Sequence, residues 1–266
     1  MHSRKSITVW CVWCAILSGL LWFVFHGGDT FAEEPAAAKE KADERYEFRK
    51  DHDPNGQGKF YMGRELAQVM SFHGAPWLDR PEREEEERLS TLVDLLKIQP
   101  GQHVCDLGAG SGVITLMMAA RVGETGKVYA VDIQQEMLDL LADKTNRLGL
   151  KQVELVLGTE KNPKLEPASL DLLLMVDVYH EFAFPYEMML EISQALKPGG
   201  RVVFVEYRRE DPKVPIKLVH KMSQAQVKKE MSPPEFGLKW KETIGKLPRQ
   251  HVIVFERQAS PPAPSP

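Results

Sequence analysis

The fold this sequence predicts is a doubly wound α/β sheet, and three observations carry the prediction. Residues Val104 to Val113 read as a buried strand running through a tight glycine turn into a helix. Further short strand-like runs follow at Lys127 to Asp132, Gln152 to Leu157, Leu170 to Asp177 and Arg201 to Tyr207. Of these, Leu170 to Asp177 is nearly all apolar, the pattern of a strand covered on both faces. The chain then ends its ordered part with two more such runs, Leu238 to Ile244 and His251 to Glu256, joined around Lys246 to Arg249.

The elements before the first core strand are read in chain order. Arg4 and Lys5 precede an apolar run from Ile7 to Phe25, and Thr30, Phe31 and Ala32 offer the small residues that a signal peptidase reads. Residues 1–32 are therefore a signal peptide or a membrane anchor, and the run's length suits either. Both readings place the rest of the chain in an exported location, periplasmic or held at the inner membrane, because the positive charges lie before the apolar run. Cys11 and Cys14 fall inside that run, which argues against a redox or metal role for their C-x-x-C spacing. Residues 33–54 are charged and Ala-rich and read as a linker. Residues 55–257 form one domain, which opens with a helical cap over Phe60 to Gln99. Within it, Arg64 to Met70 suits a helix, Phe72 to Trp77 breaks it, and Glu82 to Leu96 resumes it with Leu89, Leu92, Val93, Leu95 and Leu96 on one side.

The glycine turn narrows the ligand. A dinucleotide fingerprint spaces its glycines G-x-G-x-x-G, whereas here Gly108, Gly110 and Gly112 alternate, Val113 follows, and Asp106 stands two residues ahead. This D-x-G-x-G-x-G run, together with an acid ending the second strand at Asp132 and the helix stop Leu196-Lys197-Pro198-Gly199-Gly200, resembles class I S-adenosylmethionine-dependent methyltransferases. Tyr61 to Arg64, Ala75 to Leu78, Val178 to Phe182 and Glu206 to Arg208 are similar to a bacterial branch of methyltransferase-domain proteins of unassigned substrate. The resemblance implies a seven-stranded Rossmann-like sheet of order 3-2-1-4-5-7-6 with strand 7 antiparallel, and S-adenosyl-L-methionine as cofactor. It places the cofactor over Asp106, Gly108, Ala109, Gly110, Ser111 and Gly112. Asp132 and Ile133 then lie at the ribose, Glu160 near the adenine edge and Asp177 near the methionine end. Asp106 has two open roles, direct contact or bracing of the turn.

Beyond the fifth strand, Val214 to Met231 reads as largely helical, with Ser232, Pro233 and Pro234 ending it. Residues 258–266 hold four prolines and read as a disordered tail. A net charge of −4 with no basic stripe excludes nucleic acid as a first expectation for the partner. The expected acceptor is a small or lipid-like molecule, with membrane association through the N-terminal segment if it is retained.

Chemistry is expected where the fourth strand ends. His180 titrates near neutrality and suits a base accepting a proton from the acceptor, with Glu181 to orient it; the alternative is that His180 only shapes the pocket. Glu206, Tyr207 and Arg208 follow strand five, with Tyr207 and Arg208 expected to bind the acceptor. Lys217 and Lys221 at i, i+4 would share a helix face and meet an anionic group together with Arg208, or form a solvated basic face. His73 and Trp77 flank a bend that would close over the bound molecules or simply pack. No metal site is expected, because no H-x-x-x-H or C-x-x-C spacing occurs outside the leader. Two rivals stay open: a nucleotide-cofactor oxidoreductase, and a non-catalytic binder of S-adenosylmethionine.

Overall fold

A computed structural model describes residues 44–259. The apolar run with Cys11 and Cys14, half of the linker, and all but the first two residues of the Pro-rich tail lie outside them. The described chain opens with a three-stranded antiparallel sheet, β1 (Tyr46–Phe48), β2 (Gly56–Tyr61) and β3 (Arg64–Ala67). Two expectations change here. β1 falls inside the segment read as linker, where Tyr46 pairs with Tyr61. The Arg64 to Met70 run read as helix begins as a strand. Met62 and Gly63 both take positive φ, 48° and 88°, the two-residue hairpin geometry that folds Arg64 back onto Tyr61. Pairing and burial of Leu66 and Ala67 outweigh a local helix preference of a few tenths of a kcal/mol per residue, about the spread among ordinary residues.

The cap is helical from Phe72 onward. A single 3₁₀ turn at Phe72–Gly74 leads into α1 (Ala75–Leu78), then α2 (Arg83–Glu87) and α3 (Leu89–Leu95). The helix expected over Glu82 to Leu96 is thus split, because Arg88 sits in the left-handed region with φ 56°. The break frees α3 to turn Leu89, Leu92 and Val93 into the core.

The main sheet is built from β4 (His103–Leu107), β5 (Lys127–Asp132), β6 (Val153–Leu157), β7 (Leu170–Val176), β8 (Leu196–Tyr207), β9 (Leu238–Ile244) and β10 (Gln250–Arg257). Its order is β6-β5-β4-β7-β8-β10-β9, the expected 3-2-1-4-5-7-6 when the strands are counted from β4. β4 through β8 pair in parallel, and β10 runs antiparallel to both β8 and β9. Consecutive residues of β7 face opposite ways. Leu173 and Met175 enter one apolar cluster with Phe204, while Leu172 and Leu174 enter the other with Val203 and Val205. This explains the unbroken apolar run: both faces are covered by helices, so neither can be polar. The helices are α4 (Val113–Val122), α5 (Gln135–Leu148), α6 (Pro185–Ala195) and α7 (Gln224–Glu230). β8 already begins at Leu196, and its register against β7 skips the Lys197 to Gly200 turn, so that Arg201 faces Leu172.

The helix expected over Val214 to Met231 reduces to a 3₁₀ turn at Leu218–His220 and to α7. Between them Met222 donates its N–H to the Tyr207 carbonyl and bridges to Arg208, which holds the backbone extended. The Ser223 side chain then caps α7 by accepting from Gln226 N–H at 3.1 Å. Among the described residues no helix is long and apolar enough to cross a membrane.

Candidate active site

The carboxyl ends of β4, β5 and β7 open onto one cavity of about 730 Å³, at the point where strand order reverses. The glycine turn forms its floor. Gly108 and Gly110 have φ of 75° and 53°, and a Cβ at Gly108 would stand 2.4 Å from Val178 Cγ2, so backbone alone fits there. The N–H groups of Gly108 and Ala109 bond the Val131 carbonyl, which ties the turn to β5. Gly112 lies behind the cavity rather than in its wall; a Cβ there would meet Leu141 Cδ1 at 2.1 Å, so this glycine serves the close approach of α5. Ser111 lines the cavity, but its hydroxyl donates to Asp79 at 2.6 Å, and Lys144 joins Asp79 to the Ser111 carbonyl. The cap is thereby clipped to the turn.

The acids separate into different roles. Asp106 accepts from the Thr115 hydroxyl at 2.6 Å, so it braces the start of α4, and burial pushes its carboxyl up to about 6. Asp132 accepts from the Gly110 and Gln134 N–H groups, both at 2.9 Å. A carboxylate has about four acceptor positions, so capacity remains for two hydroxyls. Burial raises its pKa as well. Ile133 and Glu160 line the same end of the cavity. Asp177 ends the β7 segment with φ 53°. Its Oδ2 accepts from Gln250 at 2.9 Å, while its buried Oδ1 has no partner. Burial, then the neighbouring Glu87 and Glu206, hold its pKa well above the usual range.

At the other end, a 3₁₀ turn at Tyr179–Glu181 carries the expected catalytic pair. His180 is buried and lines the cavity with Glu181 and His220. Its orienting partner is not Glu181, whose Oε1 stands 3.9 Å from Nε2, but Glu206, whose Oε2 lies 2.6 Å from Nδ1. Burial lowers His180 and His220 to about 4 and raises Glu181 to about 7 and Glu206 to about 8. The two imidazoles are therefore neutral near pH 7. Strand adjacency makes the His180–Glu206 pair: β7 and β8 are neighbours, so residues 26 apart in sequence meet at their ends. An acid at the end of the fifth strand is the sequence signal for this pair.

The N-terminal sheet holds this turn from outside. Gln57 and Arg64 donate to the carbonyls of Glu181 and His180 at 3.2 and 3.0 Å, and Lys59 to that of Ala183. Gln57 and Lys59 carry no sequence signal and Arg64 enters only within the Tyr61 to Arg64 resemblance, because no motif marks a side chain that grips a distant carbonyl.

Of the residues expected to bind the acceptor, Trp77 and Tyr207 line the cavity, and His73 and Arg208 do not. Trp77 lines the cavity mouth, with Arg80 stacked on its ring, whereas His73 is exposed, stacks on Phe72 and lies off the cavity. Tyr207 lines the cavity and donates to Glu87 at 3.0 Å. Arg208 points away: its guanidinium grips the carbonyls of Leu247, Pro248 and Gln250 and so clamps the turn between β9 and β10. Lys217 reaches Asn55 and Lys221 is buried against the carbonyls of Asp211 and Val214, so the two do not share a basic face.

Sheet order, glycine turn and cavity position together define an S-adenosylmethionine-dependent methyltransferase, and the known proteins agree. The methyltransferase-domain family matches residues 98–249, more than half of the chain, and the chain belongs to it. A demethylmenaquinone methyltransferase of Bacillus mycoides (strain KBAB4) is 30% identical over 112 residues, covering 42% of this chain and 47% of that protein. The chain thus spans about half the length of the curated relatives it matches. Among solved structures, a SAM-dependent methyltransferase from Aquifex aeolicus superposes with a TM-score of 0.65 at 25% identity, covering 71% of this chain and all of that one. The [4+2]-cyclase SpnF shares the fold alone, with a TM-score of 0.56 at 14% identity over 65% of this chain and 81% of that one. The chain carries a methyltransferase domain, and its cofactor is S-adenosylmethionine. The cavity fits that group: the unpartnered Asp177 Oδ1 suits an ammonium, and the side-chain-free turn admits a nucleoside.

Proposed function

We propose that this enzyme methylates a small acceptor with an apolar, quinone-like or otherwise lipid-like body. The observation that carries the reading is the composition of the cavity beyond the glycine turn. Met70, Trp77, Leu78, Val178, Phe182 and Ile216 line the same cavity as His180, Glu181 and His220. Such a wall accepts a flat apolar ring, and the polar cluster receives one hydroxyl or similar group on it. The relatives named for demethylmenaquinone support the same acceptor class.

Roles for the chain's own residues follow. The turn at Gly108 and Gly110 lets the nucleoside approach backbone, Asp132 accepts its ribose hydroxyls, and Asp177 meets the amino-acid end, with Ile133 and Glu160 beside the base. Bound S-adenosylmethionine supplies a methyl group on a positively charged sulfur, which is a good leaving group. Much of the rate then comes from holding the acceptor in line, the task of the apolar wall and of the turn that Gln57, Lys59 and Arg64 hold. The cluster at His180 activates the acceptor's polar group. The signal peptide or membrane anchor expected over residues 1–32 supports an enzyme working outside the cytoplasm or against a membrane.

The test is transfer of isotope-labelled methyl to demethylmenaquinone and to short-chain hydroquinones, read by mass spectrometry, with calorimetry of S-adenosylmethionine and NAD alongside. Methyl transfer to the quinones supports the reading. Cofactor binding with no transfer to any of them overturns the acceptor class, and binding of NAD alone overturns the methyl-transfer reading.

A further inference from the structure

We infer that His180, Glu181 and His220 form a binding site for a divalent transition-metal cation, of the zinc type, at the acceptor end of the cavity. One nitrogen or oxygen from each of the three residues lies within 4.8 Å of the others. His180 Nε2 and His220 Nδ1 are 3.2 Å apart, and Glu181 Oε1 lies 3.9 and 4.0 Å from them. Zinc bonds of about 2.0–2.1 Å at tetrahedral angles set donor atoms roughly 3.3–3.4 Å apart. The two imidazoles already stand at that spacing, and the carboxylate needs to close by about half an ångström.

Three further features fit a metal centre better than a hydrogen-bonded pair of histidines. First, the imidazole rings are perpendicular, with centroids 5.2 Å apart, so the two nitrogens approach to 3.2 Å without the rings stacking. Second, His180 carries a buried carboxylate behind it: Glu206 Oε2 lies 2.6 Å from Nδ1, the carboxylate–histidine arrangement that orients a ligating imidazole. Glu206 Oε1 is buried without a partner, and a cation bound one imidazole away would favour its ionised form. Third, Glu181 is nearly enclosed, and the Met70 backbone holds its carboxylate in place. Two imidazoles and one carboxylate suit zinc and its first-row neighbours; magnesium and calcium prefer oxygen ligands throughout.

Three protein ligands leave a fourth position, the pattern of catalytic rather than structural zinc. All three residues line the cavity, so that position faces the acceptor. A hydroxyl bound there would lose its proton to solvent more readily, because the cation stabilises the resulting oxyanion. This catalytic role rests on the methyl-transfer reading above; the binding of the cation does not.

The experiment is metal binding by the full chain after treatment with a chelator, using zinc by calorimetry and cobalt by visible absorption. The expected result is about one zinc per chain with micromolar or tighter affinity, and a cobalt spectrum of low coordination number. His220→Ala and Glu181→Gln should each weaken zinc by about tenfold or more, and Glu206→Gln by about 10–100-fold, while His73→Ala leaves it unchanged. Glu181→Gln preserves shape, and thermal melting confirms that each variant folds. No uptake at about 100 µM zinc, or wild-type affinity in both His220→Ala and Glu181→Gln, would overturn the inference. Calorimetry with S-adenosylmethionine on the metal-free protein separates that failure from failure of the methyl-transfer reading.

Discussion

Glu230→Gln should destabilise this protein severely although the residue touches neither strand of the glycine turn. Glu230 is fully buried at the end of α7 and receives Arg64 through two bonds, Nε to Oε1 at 2.8 Å and Nη2 to Oε2 at 2.9 Å. Tyr179 and Gln226 complete its acceptor positions, each at 2.8 Å. Arg64 is itself buried, and its remaining fork donates to the His180 carbonyl. Burial opposes the guanidinium charge, and the Glu230 carboxylate more than offsets it. The amide variant keeps the shape and removes the counter-charge. Stranding one partner of such a pair costs about 3–5 kcal/mol, whereas replacing both costs far less. For a domain of this size about 2–4 °C of melting temperature accompanies each kcal/mol, so the midpoint should fall by on the order of 10 °C. The assay is a cycle of Arg64→Met, Glu230→Gln and the double variant, by thermal and urea unfolding. The double variant should be more stable than the summed single losses by about 1–3 kcal/mol. Because Arg64 also grips the catalytic turn, acceptor KM should rise in the Arg64 variant while S-adenosylmethionine affinity changes little. Single losses below about 1 kcal/mol, or strict additivity, would refute the reasoning.

Other expectations are more local. Asp132→Asn should weaken S-adenosylmethionine by about 1.5–3 kcal/mol, since a charge-assisted acceptor is lost; calorimetry within twofold of wild type would remove it from the ribose site. Gly110→Val should abolish cofactor binding in a folded protein, because φ of 53° is hostile to a branched side chain; unchanged affinity counts against the turn's assignment. Asp106 is raised to about 6 from 3.8 by burial, so its ionisation in the folded state is unfavourable. Its contribution is fully present below about pH 4 and is lost as pH rises through about 6, on the order of 3 kcal/mol. Asp106→Asn still accepts from Thr115 and should gain about 2 kcal/mol of stability relative to wild type between pH 4.5 and 7.5; an equal difference at both pH values would exclude it. Fractionation with intact-mass analysis should find the protein beyond the inner membrane, either beginning at Glu33 or retaining residues 1–32, and full-length protein in the soluble cytosol would defeat the export proposal.

The main sheet, its order and the cofactor turn were legible because their causes are contiguous in the chain. Alternating Gly108, Gly110 and Gly112 are local backbone requirements, and the apolar run of β7 records burial on two faces. The N-terminal sheet was not legible. Arg64 to Met70 is acceptable as helix, and only pairing across the Met62–Gly63 turn decides for a strand. The same divide runs through the site. Sequence order alone placed His180 beside Glu181, and sheet adjacency decided that Glu206 orients it, with His220 arriving from 40 residues away. Arg208, expected from sequence to bind the acceptor, is a clamp because the carbonyls of a neighbouring hairpin lie within its reach. Local conformation is written in adjacent residues, because sterics and burial act on each stretch of backbone. Which charged side chains find one another is decided only when strands distant in sequence lie side by side, since burial makes any unpaired charge costly.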